Sequence, residues 1–125
     1  MIVIVTGGRD YAGDKLVAEL DGIHADAGID ALIYGCARGA DRIAQGWGMA
    51  RVAAGDQIQL SLHEADWERH GKRAGPERNQ RMVDAAVRIG LGTSGVLCLV
   101  APGGRGTADC VARALKAGIE VRRVS

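Results

Sequence analysis

The sequence predicts an α/β domain in which an open, doubly wound parallel sheet of about five strands carries helices on both faces. Apolar, strand-like runs alternate with helix-like patterns along the whole chain. The first and fourth of these runs are almost continuously apolar, which is typical of central strands that are covered on both faces. Alternation of strands and helices, with right-handed crossovers, favours a parallel order of the strands. The 125 residues are enough for a single domain with one sizeable core.

The strands are predicted from short runs that are rich in Val, Ile and Leu and bounded by Gly, Pro or Asp. Five such runs cover residues 2–6, 31–34, 57–62, 95–100 and 119–124. The spacing between them leaves room for a helix after each of the first four strands, so that all five strands can run in the same direction.

Four helices are predicted from apolar residues that recur every three or four positions. The third and fourth stripes begin with a polar residue, Asn79 or Thr107, which should therefore face inward with the apolar residues that follow it. The four stripes comprise Leu16, Leu20, Ile23, His24 and Ala27; Ala40, Ile43, Ala44 and Trp47; Asn79, Met82, Val83 and Ala86; and Thr107, Cys110, Val111, Ala114 and Leu115.

The composition excludes several classes of function. A formal net charge of +1 provides no overall field that would attract nucleic acid or an anionic membrane. No run approaches the roughly 20 apolar residues of a membrane span, and no secretory signal is recognisable, so we expect a cytoplasmic protein that does not contact membranes. Exposed edge strands make a homo-oligomer plausible.

The cysteines and histidines indicate neither a disulfide framework nor a metal site. Cys36, Cys98 and Cys110 are odd in number and form no Cys-x-x-Cys pair, which favours reduced thiols. His63 and His70 have no partner at metal-ligand spacing. We therefore predict no metal and no cofactor.

Four unusual stretches each begin where a predicted strand ends and run into the start of a helix: TGGRDY, YGCARGAD, HEADWERHGKRAGPERN and APGGRGTAD. The carboxyl ends of parallel strands meet at one edge of a sheet, which is where such folds bind ligands. Glycine allows close approach of the backbone, and the first N–H groups of a helix attract phosphate. The alternative is that the glycines only turn the chain. No Walker lysine motif is present, and the first loop, Gly7-Gly8-Arg9-Asp10, lacks the Gly-x-Gly-x-x-Gly spacing of the usual dinucleotide fold, which disfavours ATP hydrolysis and NAD-dependent hydride transfer.

The predicted ligand cleft draws on all four stretches. Residues 103–107 would hold phosphate at a helix that begins near Thr107, and Arg78 would clamp it just after Pro76, which is expected at the first helical position. The alternatives are an exposed arginine and an Asn79 that caps the helix. Ligand-binding candidates are Thr6, Gly7, Gly8, Arg9, Gly35, Arg38, Gly39, Asp41, Arg78, Asn79, Pro102, Gly103, Gly104, Arg105, Gly106 and Thr107.

Four further side chains have two interpretations each. Asp41 and Asp109 are candidate catalytic acids, together with Arg78, but either carboxylate could instead be a first-turn acid that compensates the helix dipole. Trp67 could stack on a base or cover the cleft, although packing is the commoner role of a lone tryptophan. Cys36 could be a nucleophile, but we favour the interpretation that it is a small side chain that fills space in the loop.

The segments VTGGRDY, YGCARGADRIAQGW, ADWERHGKRAGPERNQRMV and APGGRGTADCVARALKAGIEV resemble the YspA/YpsA-related family of the SLOG superfamily, which includes Smf/DprA and the Lonely guy enzymes. The resemblance covers nearly the whole chain in order. It implies a Rossmann-like fold and a single nucleotide-binding domain over residues 1–125.

The resemblance also implies the class of ligand. It predicts binding of a phosphorylated nucleotide derivative, such as a nucleoside monophosphate, ADP-ribose or an NAD-related signal, by a sensor or sequestering protein. Lonely guy enzymes hydrolyse nucleotide N-glycosidic bonds and carry Pro-Gly-Gly-x-Gly-Thr-x-x-Glu. Here Pro102 to Thr107 match that motif, but Cys110 stands in place of the glutamate. This departure makes phosphoribohydrolase activity the alternative. Single-strand DNA binding, as in DprA, is a second alternative that the near-zero net charge and few aromatic residues disfavour.

Overall fold

The computed structural model describes residues 1–92 and 95–125. One five-stranded sheet with the order β3-β2-β1-β4-β5 forms the middle layer, and every pair of neighbouring strands is parallel. The predicted doubly wound α/β fold is therefore confirmed. The strands are β1 (Ile2–Thr6), β2 (Ala31–Gly35), β3 (Gln59–His63), β4 (Val96–Val100) and β5 (Glu120–Arg123).

Helices cover both faces of this sheet, as the alternating apolar patterns predict. The helices are α1 (Lys15–Ala27), α2 (Ala40–Ala53), α3 (Trp67–His70), α4 (Ala74–Gly90) and α5 (Arg105–Lys116), and a 3-10 turn spans Gly71–Arg73. No helix in the described parts of the chain is both long enough and apolar enough to cross a membrane.

The position of strand β1 between two helical layers explains why its sequence is continuously apolar. Val3 and Val5 belong to the core beneath α1 and α2, whereas Ile2 and Ile4 belong to the core beneath α4 and α5. All four side chains are fully buried. Successive residues of a strand point to opposite faces, so a strand between two helical layers needs an apolar residue at every position.

Several boundaries differ from the sequence prediction by one or two residues. Strand β3 begins at Gln59 and ends at His63, one residue beyond the predicted end. Helix α4 begins at Ala74, so Pro76 is its third residue rather than its first. Helix α5 begins at Arg105, two residues before Thr107. A proline is accepted throughout the first helical turn because the N–H groups there have no partner within the helix.

One packing prediction is also corrected. Leu115 was expected in the inward stripe of α5 but is 59% exposed, because the four preceding buried positions already span the covered face of this helix. The segment between β3 and α4 has no clear apolar period in the sequence, but it contains α3 and the 3-10 turn. Four-residue helices are too short to produce a visible apolar period.

Candidate functional site: a cleft at the carboxyl edge of the sheet

A cleft of about 1390 Å³ opens at the carboxyl edge of the sheet, where all four predicted loops converge. It lies beside the ends of β1 and β4, the point at which the strand order reverses direction and at which doubly wound folds bind their ligands. Most of the predicted ligand-binding residues line it: Thr6, Gly7, Gly8, Arg9, Arg38, Asp41, Arg78, Asn79, Pro102, Gly103, Gly104, Arg105, Gly106 and Thr107.

The loop after β1 is packed tightly between its neighbours. The Gly8 N–H donates to the Pro102 carbonyl oxygen at 2.8 Å, and the Ala40 N–H donates to the Gly8 carbonyl oxygen at 3.2 Å. A Cβ on Gly7 would lie 2.6 Å from the Cβ of Ala40, and a Cβ on Gly8 would lie 2.8 Å from the Pro102 oxygen. The glycines of this loop therefore allow three segments of the chain to pack closely together.

Gly35 and Gly39 belong to the packing behind the cleft rather than to the described residues that line it. Gly39 has a φ of +78°, and a Cβ there would collide with the Gly8 carbonyl oxygen. At Gly35 a Cβ would collide with the guanidinium of Arg78 and would lie 2.7 Å from Oδ2 of Asp41. The missing side chain of Gly35 thus makes the space that Arg78 occupies.

The loop after β4 is open toward the cleft. Gly104 is the N-cap residue of α5, and no described side chain caps this helix start. Within the described ranges, no heavy atom lies within 4 Å of a Cβ built on Gly104 or on Gly106. Gly103 differs, because its Cβ would collide with the hydroxyl of Thr107 and lie 2.7 Å from the Gly8 nitrogen. The first turn of α5 is accordingly accessible from the cleft.

Arg78 is held by a polar network between α4 and α5. Its Nε donates to Oδ1 of Asn79 at 3.0 Å. The Nδ2 of Asn79 donates to the Gly106 carbonyl oxygen at 3.1 Å and to Oδ2 of Asp109 at 3.0 Å. Asn79 is 2% exposed and is the sixth residue of α4, so the interpretation of Asn79 as a capping residue is wrong. Asn79 orients Arg78 and joins it to the loop after β4.

Asp109 is the fifth residue of α5 and not a first-turn acid. It accepts a hydrogen bond from Nε of Arg113 at 2.9 Å, in addition to that from Asn79. Burial raises the pKa of this carboxyl, but the bonds from Arg113 and Asn79 outweigh burial and bring the pKa below its ordinary value. Asp109 is therefore ionised at neutral pH and is a poor proton donor.

Asp41 is the contrasting acid of the cleft. It lies in the first turn of α2, is 7% exposed and accepts a hydrogen bond from the Ala37 N–H at 3.2 Å. Burial raises the pKa of Asp41 above its ordinary value, against the lowering effects of the Ala37 N–H and the nearby Arg78. Its position fits the first-turn interpretation, and its raised pKa is typical of groups that exchange protons.

The cysteines have different environments. Cys36 is exposed and lines the cleft, whereas Cys98 and Cys110 are fully buried side by side between β4 and α5. The hydrogen bond with Cys110, followed by burial, raises the pKa of the Cys98 thiol. Cys110 is hydrogen-bonded to Thr6 and is not among the described residues that line the cleft. The cysteine at the position of the Lonely guy glutamate is thus part of the core.

Several lining residues were absent from the sequence prediction: Asp10, Tyr11, Lys72, Gly75 and Met82; Trp67, which also lines the cleft, was given two interpretations. Trp67 is 50% exposed, so about half of this side chain is not packed against the protein. The signal for Trp67, Lys72 and Gly75 was the long segment HEADWERHGKRAGPERN, which lies at the same edge as the other loops. Basic side chains outnumber acidic ones around the cleft, since Arg9, Arg38, Lys72, Arg78 and Arg105 face Asp10, Asp41 and Asp109.

The sheet order and the edge cleft define a Rossmann-like α/β protein. The chain belongs to the YspA, cpYpsA-related SLOG family, whose sequence model matches residues 1–70. A relative, the Gene 61 protein of Mycobacterium phage D29, is 39% identical over 123 residues, an alignment that covers 95% of this chain and 92% of the relative. The similarity to this relative extends beyond the family match into the segments that carry Arg78 and Gly104. No solved structure matches the chain.

Proposed function

We propose that the protein binds a phosphorylated nucleotide derivative in this cleft and acts as a sensor or sequestering protein that leaves the ligand intact. The class includes nucleoside monophosphates, ADP-ribose and NAD-related signals. The observation that carries the proposal is the open start of α5 at Gly104, which lines the same cleft as the oriented guanidinium of Arg78. Membership of the SLOG family supports the same class of ligand.

In this proposal the phosphate lies against the backbone N–H groups of residues 104–107. The helix start supplies unpaired donors and a partial positive charge, and the Thr107 hydroxyl is a further donor. Arg78 binds two phosphate oxygens at once, a bidentate contact that lysine cannot make. Residues 6–9 and Asp41 contact the sugar or the base.

The ligand is best identified by native mass spectrometry of the purified protein. We expect a co-purifying mass that corresponds to a phosphorylated nucleoside, and the isolated compound should bind the emptied protein in calorimetry. After incubation with the protein, the isolated compound should be recovered unchanged. A ligand without phosphate, or failure of every nucleotide tested to bind the emptied protein, would contradict the proposal.

Hydrolysis of a nucleotide N-glycosidic bond is the second candidate, and Asp41 is the observation that favours it. Burial raises the pKa of the Asp41 carboxyl, which therefore holds a proton more readily than an ordinary carboxyl, as a general acid requires. Asp109 is less suited, because its pKa is lowered. Rapid release of free base by the wild-type protein, lost in Asp41→Asn, would place hydrolysis ahead of sequestration.

A further inference from the structure

We infer that the indole of Trp67 is the surface on which the base of the ligand stacks, so that the cleft takes a ligand with a planar aromatic ring at one end and a phosphate at the other. This inference rests on the proposed function and assigns the base to the α3 side of the cleft. Residues 6–9 and Asp41 are then left to contact the sugar.

The exposure of Trp67 is the first observation. The ring lines the cleft and is 50% exposed, whereas Trp47 is buried in the core at 7% exposed. Tyr11 also lines the cleft, but its hydroxyl is bound to the Leu16 N–H and to the Ser125 carbonyl oxygen, each at 3.2 Å. A large aromatic surface left open in a concave site is available to a ligand, and nucleobases stack on such rings irrespective of their identity.

The second observation is that the ring is held in place although it is exposed. Oδ1 of Asp66 caps α3 by accepting a hydrogen bond from the Arg69 N–H at 3.1 Å. His70, at the other end of α3, contacts the carboxylate of Glu77 in α4. A Cβ on Gly75 would lie 3.0 Å from Cη2 of Trp67, so the absence of that atom lets the indole lie against the first turn of α4. A ring fixed in this way loses little freedom when a base stacks on it.

The third observation is the spacing, along helix α4, of the two residues that contact opposite ends of the cleft. Gly75, which lies against the indole, and Asn79, which donates to the Gly106 carbonyl oxygen, are four residues apart on the same face of α4. Four residues correspond to about 6 Å along a helix axis. The α4 residues that contact the indole and the phosphate loop are therefore offset by about 6 Å along this helix, and Arg78 lies between them in sequence.

The test uses the two tryptophans of the chain. In a Trp47→Phe background the only indole is that of Trp67, and its fluorescence is titrated with AMP, GMP, CMP, UMP, ADP-ribose and ribose 5-phosphate. We expect quenching by at least one nucleotide. Saturating ribose 5-phosphate, which has the phosphate and sugar but no base, should leave the emission almost unchanged.

Calorimetry on the full chain with native Trp47 supplies the energetic test. Trp67→Leu should weaken binding of the quenching nucleotide by roughly 5- to 150-fold, the range for loss of one stacked base, and should leave ribose 5-phosphate affinity within about twofold. Trp67→Phe should retain most of the affinity because a ring remains. Met49→Ala, which shortens an exposed apolar side chain outside the cleft, is the matched control and should change neither.

The outcomes separate the two proposals. Equal affinity of the wild type for nucleotide and for ribose 5-phosphate, or equal weakening of both by Trp67→Leu, overturns the stacking surface and leaves the phosphate site standing. If the wild type binds neither the nucleotides nor ribose 5-phosphate, the proposed function fails, and the inference fails with it.

Discussion

Two glycine-rich loops form neighbouring walls of the cleft, yet their glycines have opposite surroundings. After β1, a Cβ on Gly7 or Gly8 would lie less than 3 Å from atoms of the adjoining segments, and the conformation of Gly39 brings a third segment against them. After β4, Gly104 and Gly106 each have open space where a Cβ would be, as far as the described residues extend.

The difference shows that a glycine motif can have two separate causes. In the packed loop the missing side chains allow backbone segments to touch, so their replacement should act on folding. In the open loop no described neighbour occupies the place of a Gly104 Cβ, and the φ of this residue, −101°, is outside the left-handed region that favours glycine. The proposed function supplies a reason for a glycine there, because a side chain at this position would occupy the space of the phosphate. Substitutions can test each half of this comparison.

The largest effect is expected for Gly39→Ala on the packed side. The residue has a positive φ, and its new Cβ would collide with the Gly8 carbonyl oxygen and lie 2.6 Å from the Arg9 carbonyl oxygen. We expect a loss of about 3 kcal/mol or more in the free energy of unfolding, measured by urea denaturation. Gly46→Ala is the control, because it lies within α2 with open space around its Cβ and should stabilise by about 0.5–1 kcal/mol. Equal stability of Gly39→Ala and wild type would contradict the packing role.

The next effect is expected for Gly104→Val on the open side. The isopropyl group should fill the space in front of the α5 start and reduce nucleotide affinity by more than about 100-fold, or roughly 2.7 kcal/mol. The fold should lose no more than about 1 kcal/mol, the cost of a poor N-cap residue. The readout is the rise in Tm on adding saturating nucleotide. Gly22→Val, an exposed change on α1 outside the cleft, should keep the full rise. A folded Gly104→Val protein with an undiminished rise would refute the phosphate site.

A similar or smaller effect is expected for Arg78→Ala, whose guanidinium lies beside Gly35 and Asn79 and lines the same cleft as both loops. We expect binding to weaken by about 1.5–3 kcal/mol, the range for hydrogen bonds to charged groups, with the fold retained. Calorimetry measures the loss. Arg88→Ala removes an exposed arginine of the same helix that lies outside the described lining of the cleft, and it should bind as wild type does. Identical affinities of Arg78→Ala and Arg88→Ala would remove Arg78 from the site.

The smallest effect concerns Asp41, which organises the segment that packs against the β1 loop. Because burial raises its pKa in the folded state, wild-type stability should fall as the pH rises from about 4, the unfolded value, through the raised folded value. Asp41→Asn keeps an acceptor for the Ala37 N–H but lacks this ionisation. The free energy of unfolding of the variant, measured by urea denaturation, should be closest to that of the wild type at low pH. At neutral pH the variant should be more stable relative to the wild type than it is at low pH. A stability difference that does not vary with pH would show that Asp41 titrates as in the unfolded chain.

Most of the fold was predictable because periodic burial leaves a direct trace in the sequence. The unbroken apolar run of β1 and the inward stripe of α4 from Asn79 to Ala86 both lie where the prediction placed them. Helix starts were less predictable: Gly-rich segments carry no apolar period, so α5 was expected near Thr107 instead of Arg105. Leu115 satisfies the period of its stripe but lies exposed, because the period does not reveal how wide the covered face is.

For the site, the sequence by itself determined which segments meet, since strand ends in a parallel sheet share one edge and four unusual segments follow strand ends. It did not determine which glycines face a ligand and which face the protein, because both kinds look alike in a one-dimensional pattern. The tertiary structure decided this: Gly35 makes space for Arg78, Gly39 supports the β1 loop, and Gly104 opens on the cleft. It also exposed the Trp67 ring and buried Cys110, because neighbours distant in the chain determine what a side chain contacts.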